Sequence, residues 1–331
     1  MYSTWTVALF LLVASFPAPE PGRRVGIIGL DTSHATAFTK ILNNPEAGDR
    51  FGGYRVTAAF PEGSRDIESS VSRIPRYTAE MQEMGVEIVG SIAELLARVD
   101  VVLLETNDGR RHLEQAMPVF AARKPVFIDK PLGGTLAEAA AILEAARRAG
   151  SPVFSSSPLR YYQGWAGATS GAGSIHNAFA WSPAHLEATH PDLFWYGIHA
   201  VEQLYAVMGP GCETVVRVHT SQADVVVGTW AGGRTGTVLG TRSGKFDYGG
   251  IAFGEEQVVS LGSFGGYEPL VEEIARFFQS GRAPVSAEET LEIYVFMEAA
   301  DESKRQGGLP VRVADVLEKA RHEALRLLGD R

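Results

Sequence analysis

The stretch 120-FAARKPVFIDKPLGG-134 carries the fold assignment. Pro125 to Ile128 is a short apolar run that reads as a buried strand, and it leads directly into Asp129, Lys130 and Pro131. Strands covered on both faces are nearly continuous apolar runs, as in parallel sheets flanked by helices. In open sheets of that kind the carboxyl ends of the strands line the ligand crevice. Asp129 and Lys130 therefore stand at the mouth of a site; the plainer alternative is a surface ion pair followed by a proline stop.

The flanking sequence repeats the pattern. Upstream, Arg24–Leu30, Tyr54–Phe60 and Val101–Glu105 are further short strands, and the segments after the first and third have helical spacing (34–43 and 110–122). Ser91-Ile-Ala-Glu94 is a capping box that opens a short helix. Downstream, a helix over 135–150 leads to a strand at 152–154. Strands alternating with helices predict βαβ units. After Ser155 the texture changes to short strands rich in β-branched residues, at 176–181, 214–220, 224–230, 234–241, 250–253 and 257–261. Glycine-rich turns between them suit hairpins, and helices at 197–208, 268–280 and 287–306 are expected on one face. The predicted fold class is α/β. A Rossmann-like doubly wound parallel sheet is expected over 24–150, and an α/β domain with a mostly antiparallel open sheet over 151–331.

Bulk properties agree with a two-domain globular chain. The 331 residues suit two domains at roughly 100–200 residues each, and 45% apolar with 21% charged content supports large cores. A net charge of −9 excludes the basic footprint of a nucleic-acid binder. The single cysteine, Cys212, excludes an internal disulfide and a cysteine-cluster metal site.

Residues 1–20 stand apart. Thr6 to Phe16 is apolar and is followed by Pro17-Ala18-Pro19. This run is too short for a bilayer span of ~20 residues and suits the core of a signal peptide, although no basic residue precedes it. Export by a Sec-type signal is the expectation, to the periplasm or outside; a misplaced start would instead leave the chain cytoplasmic. No membrane span is expected.

Together these stretches resemble the glucose–fructose oxidoreductase / inositol dehydrogenase (Gfo/Idh/MocA) family from residue 24 onward. Asp129-Lys130-Pro131 resembles its Glu-Lys-Pro motif with a shorter acid. The segment 155-SSSPLRY-161, ending in Arg plus an aromatic, resembles the family's next segment, which ends in the same way. The stretch 196-YGIHAVEQL-204 resembles its Gly-x-His-x-x-Asp helix start, with Glu202 for Asp, and 268-EPLVEEIARFFQSGRAP-284 its typical tail.

The resemblance implies an NAD- or NADP-dependent oxidoreductase acting on a carbinol of a small sugar, polyol or glycoside. Lys130 and His199 would handle the hydroxyl proton. Arg160, Tyr161, Tyr196, Glu202, Asp192 and His190 would bind substrate. Gly29, Thr32, Ser33, His34, Ser64, Arg65, Asn107 and Asp129 would meet the cofactor. A homo-oligomer through the C-terminal sheet is also implied.

The nucleotide turn departs from the family. Of Gly-x-Gly-x-x-Gly only Gly29 remains, in Gly29-Leu-Asp31-Thr-Ser-His34. Asp31 places a carboxylate where a phosphate is expected, and could cap the adjoining helix in its stead. The second strand ends in Phe60-Pro61 rather than the acid that holds ribose, leaving Ser64-Arg65 as a candidate 2′-phosphate cradle. These departures keep open an alternative on the same scaffold: a cofactor-independent or metal-assisted carbohydrate lyase, epimerase or hydrolase. Asp31, Asp108, Asp192, Glu202, His34, His112, His185, His190 and His199 offer donors for a cation. None of them has tight metal-ligand spacing, and no metal is assigned.

Overall fold

The computed structural model describes residues 23–161, 171–260 and 264–329. The expected signal peptide lies outside these residues, as does Leu261 at the end of an expected strand. Among the described residues no helix is long and apolar enough to cross a membrane.

The first half builds a six-stranded, wholly parallel sheet. Its elements are β1 (Arg24–Ile28), α1 (Ser33–Leu42), β2 (Arg55–Phe60), α2 (Glu68–Val71), α3 (Ile74–Glu83), β3 (Glu87–Ile88), α4 (Ile92–Leu96), β4 (Val101–Leu104), α5 (His112–Ala121), β5 (Val126–Ile128), α6 (Leu136–Ala149) and β6 (Val153–Phe154). The strand order β3-β2-β1-β4-β5-β6 is that of a doubly wound dinucleotide-binding fold. β1, β4 and β5 are buried at almost every position because helices cover both faces. Ile27, Leu103 and Phe127 face a core shared with Phe38 and Met81, whereas Ile28, Leu104 and Ile128 face one shared with Leu95, Val119 and Leu136.

The second half adds β7 (Ile175–Pro183), α7 (Ile198–Met208), β8 (Cys212–His219), β9 (Ala223–Trp230), β10 (Arg234–Thr241), β11 (Gly249–Gly254), β12 (Val258–Ser260), α8 (Glu268–Ser280), α9 (Ala287–Arg305), β13 (Val311–Arg312) and α10 (Val313–Leu327). Its seven-stranded sheet, β12-β11-β7-β10-β9-β8-β13, is antiparallel except for the β7–β10 pair. α7 and α9 lie on one face. Gly228 and Gly236 make this close approach possible, since a Cβ at either would fall within 3.0 Å of Phe296 or Leu204.

One expected helix packs elsewhere. α8 leaves the second sheet and covers the first. Its Leu270, Val271, Ile274, Phe277 and Phe278 share a core with Val25, Phe38, Phe127 and Phe154. This apolar stripe finds aromatic partners there, Phe277 on Phe154 and Phe278 on Tyr54. α2, α3, β3, β13 and α10 complete the fold beyond the elements expected from sequence.

Candidate functional site

β1, β4 and β5 end side by side in the middle of the parallel sheet, and the loops that leave them bound a cavity of about 410 Å³. Thr32, Ser33 and His34 come from the start of α1, Asn107 from the loop after β4, and Lys130 from the loop after β5. Ser69, Arg73, Arg76 and Tyr77 come from the α2–α3 region. The other half of the chain closes the cavity with Pro158, Leu159, Trp195, Tyr196, His199, Tyr248, Phe264 and Tyr267.

Lys130 and His199 therefore share one cavity although 69 positions apart in sequence (199 − 130). His199 lies in the first turn of α7, which follows a π-helical turn, Leu193–Gly197, that also carries Trp195 and Tyr196. The His199 Nδ1 lies 2.7 Å from the Ser157 hydroxyl oxygen, which accepts from the Leu159 amide. This contact holds the imidazole by its Nδ1 edge and leaves Nε2 as the other polar atom of the ring. Burial, and then the proximity of Lys130 and His34, hold this imidazole well below its ordinary pKa, so it is neutral at pH 7.

His34 lies where the family turn carries its last glycine. Its Nδ1 is 2.9 Å from Asp129 Oδ2, and its ring stacks on Phe38 and meets Tyr267 edge-on. Burial works to raise the Asp129 carboxyl, but His34 and Lys130 outweigh it and hold it at about 2. Asp129 itself is fully buried, behind the cavity wall.

Asp31 does not cap α1. The N-cap is Thr32, whose hydroxyl accepts from the His34 amide at 3.1 Å. Asp31 turns inward and is fully buried; its carboxylate accepts from the amides of Ser64 (2.8 Å) and Asn107 (2.9 Å). It thus ties the loops after β2 and β4 to the turn after β1, and it leaves the α1 N-terminus clear of its charge. Gly29 is required as glycine: its φ is +89°, and a Cβ would fall 2.3 Å from the Thr106 hydroxyl.

Several expected contacts are spent elsewhere. Ser64 is buried and donates to Asp108 at 3.0 Å, and Arg65 pairs with Glu62 on the surface, so neither forms the expected phosphate cradle. Arg160 and Glu202 form a 2.8 Å ion pair behind the cavity, where Glu202 also accepts from the Ser157 amide. They brace the segment that holds His199, and Tyr161 packs into the core of the parallel sheet. Asp192 is tied to Arg217 and Lys304. His190 lies 3.5 Å from Asp108, and burial pushes it down to about 4. Arg160, Tyr161, Glu202, Asp192 and His190 are thus not among the described residues lining the cavity; of the expected substrate set, Tyr196 alone is. Ser69, Arg73, Arg76 and Tyr77 escape sequence reasoning because they lie in a helical insert after β2 that has no motif of its own.

Comparison with known proteins bears on the family and the fold. Residues 23–157 match the family described as an oxidoreductase family with an NAD-binding Rossmann fold. Inositol 2-dehydrogenases from two strains of Cereibacter sphaeroides are 31% and 30% identical over 125 and 142 residues, which are 37% and 42% of this chain. These matches span 32% and 37% of the relatives' own lengths, about a third. The fold extends further. GenD2 from gentamicin A biosynthesis, solved in complex with NAD, superposes with a TM-score of 0.70 at 18% identity, covering 91% of this chain and 99% of that one. Scyllo-inositol dehydrogenase from Lactobacillus casei gives 0.70 at 13% identity, covering 88% and 98%.

Proposed function

We propose, from residues 23–157 that match the Gfo/Idh/MocA oxidoreductase family, that this protein is an NAD- or NADP-dependent dehydrogenase. Its substrate is a secondary carbinol of a cyclic polyol or sugar. The observation that carries this reading is the meeting of Lys130 and His199 in one cavity beside the N-terminus of α1.

The cavity fits a dinucleotide because Asp31 faces inward, away from the helix start where a pyrophosphate binds. Thr32, Ser33, His34 and Asn107 would hold the cofactor there, with Arg73 and Arg76 supplying positive charge on the same lining. A bound nicotinamide would supply the hydride acceptor, or in reverse the donor, for the carbinol carbon. The Lys130 Nζ, in its neutral amine form, would take the hydroxyl proton as the carbonyl forms, and the resulting ammonium would give it back in reverse. His199, on the same lining, would hydrogen-bond the same oxygen and fix its position. Trp195, Tyr196, Tyr248, Phe264 and Tyr267 offer ring faces for the C–H side of a cyclic polyol and phenol hydroxyls for its edge.

The similarity to inositol 2-dehydrogenases makes inositols the first substrates to try. Mixing purified protein with NAD or NADP and a panel of inositols and sugars should generate reduced-nicotinamide absorbance. No reduction with any pair, together with no cofactor binding by calorimetry, would sink the reading.

The open face of the second sheet supports a homo-oligomer. Strand register places Phe179, Val218, Val225, Val227, Leu239, Ile251 and Phe253 on the face opposite the helices, and Val218, Val225 and Phe253 are exposed. Light scattering on the purified chain tests this directly.

A further inference from the structure

We propose that His34, Glu105 and Asp129 form a site for one divalent transition-metal cation, Zn²⁺ or Mn²⁺, beneath the cavity. One donor atom from each of the three lies within 4.8 Å of the others. The residues come from three separate elements: the first turn of α1, the end of β4 and the end of β5.

The independent observation is what the carboxylates lack. Glu105 is fully buried, and neither of its oxygens has a hydrogen-bond partner; Asp129, also fully buried, leaves Oδ1 unpartnered. Buried carboxylates without partners are costly, and such groups are normally paired, bonded or bound to metal. Glu105 and Asp129 together present three oxygens that no hydrogen bond satisfies, and a divalent cation would bind them directly. The donor set also suits the cation, since imidazole with carboxylate favours borderline metals such as Zn²⁺ and Mn²⁺. Donors about 2.1 Å from a common ion stand roughly 3–4 Å apart, so the cluster needs only a small contraction to close around one. His34 belongs both to this cluster and to the cavity lining, which gives the ion a way in.

The inference does not rest on the dehydrogenase reading. The test uses the full chain, stripped with chelator and dialysed, then titrated calorimetrically with ZnCl₂ and with MnCl₂, cofactor binding being measured separately. One equivalent per chain is expected for at least one of the two metals, with a raised melting temperature. Glu105→Gln and Asp129→Asn should each weaken that binding by about tenfold or more, whereas His322→Ala, an exposed histidine remote from the cluster, should not. His34→Gln probes the same site from α1 should a carboxylate variant fail to fold. Uptake of neither metal by the wild type, or binding unchanged in both Glu105→Gln and His34→Gln, would overturn the proposal.

Discussion

Lys130 leaves β5 immediately behind a fully buried acid and ahead of a cis peptide bond to Pro131. With 7% of its surface exposed, it is held within the cavity rather than free in solvent. Lys130→Met keeps much of the stem and removes the proton-transferring group. Turnover should fall by roughly 10²–10⁴-fold, with cofactor affinity and circular dichroism nearly unchanged; an unaltered rate would remove Lys130 from the chemistry. His190 makes a different residue-scale prediction. Its folded pKa of about 4 lies below the ordinary 6.5, so the unfolded chain binds a proton that the folded chain refuses. Its contribution is therefore fully present above pH 6.5 and is lost as the pH falls towards 4. This should amount to about 1–3 kcal/mol. In His190→Gln the fall in melting temperature across that window should be shallower than in wild type, and identical slopes would show that another group dominates.

At the scale of elements, the turn after β1 is the part that sequence pattern misreads. A carboxylate after a strand and before a helix looks like a cap, yet Thr32 takes that role and Asp31 holds two neighbouring loops by their amides. Asp31→Asn keeps the shape but turns an amide donor towards one of those N–H groups. A loss of about 1.5–3 kcal/mol is expected, visible as a lower denaturant midpoint. NAD(P) affinity should fall as well, because the loop released carries Asn107 on the cavity wall. Tighter binding in Asp31→Asn would mean that the carboxylate does repel the phosphates. In the second sheet, Arg217 is buried among Asp192, Asp224 and Asp301. Arg217→Met should cost about 3–5 kcal/mol, since it strands those carboxylates. A chemical-denaturation curve that barely moves would show the acids relaxing into solvent.

The whole molecule is held as one body by elements that cross between the sheets. α8 comes late in the chain but covers the first sheet. α6, from the first half, packs against α9 and α10, and the Leu132 amide donates to the Tyr294 hydroxyl across the same boundary. A single core cluster runs from Ile28 and Leu104 through Phe194 to Phe296. Calorimetry should therefore show one cooperative transition with matching calorimetric and van't Hoff enthalpies. Two resolved transitions would show that the halves unfold separately.

Local sequence was enough for the parallel sheet, the change of texture after Ser155 and the strand end bearing Lys130, because buried strands and amphipathic helices leave period and composition in the chain. The helix carrying His199 was legible in the same way. Which polar residues face the cavity was decided by tertiary packing alone. Arg160, Glu202, Asp192 and Ser64 have the chemistry of binding residues, but each is consumed by a partner distant in sequence. Glu105 gave no local sign, being one more residue at the end of an apolar strand. Its place beside His34 and Asp129 arises only when β1, β4 and β5 lie adjacent in the sheet. A carboxylate's role is set by the charges and donors within a few ångströms of it, and that neighbourhood is assembled by topology rather than by sequence spacing.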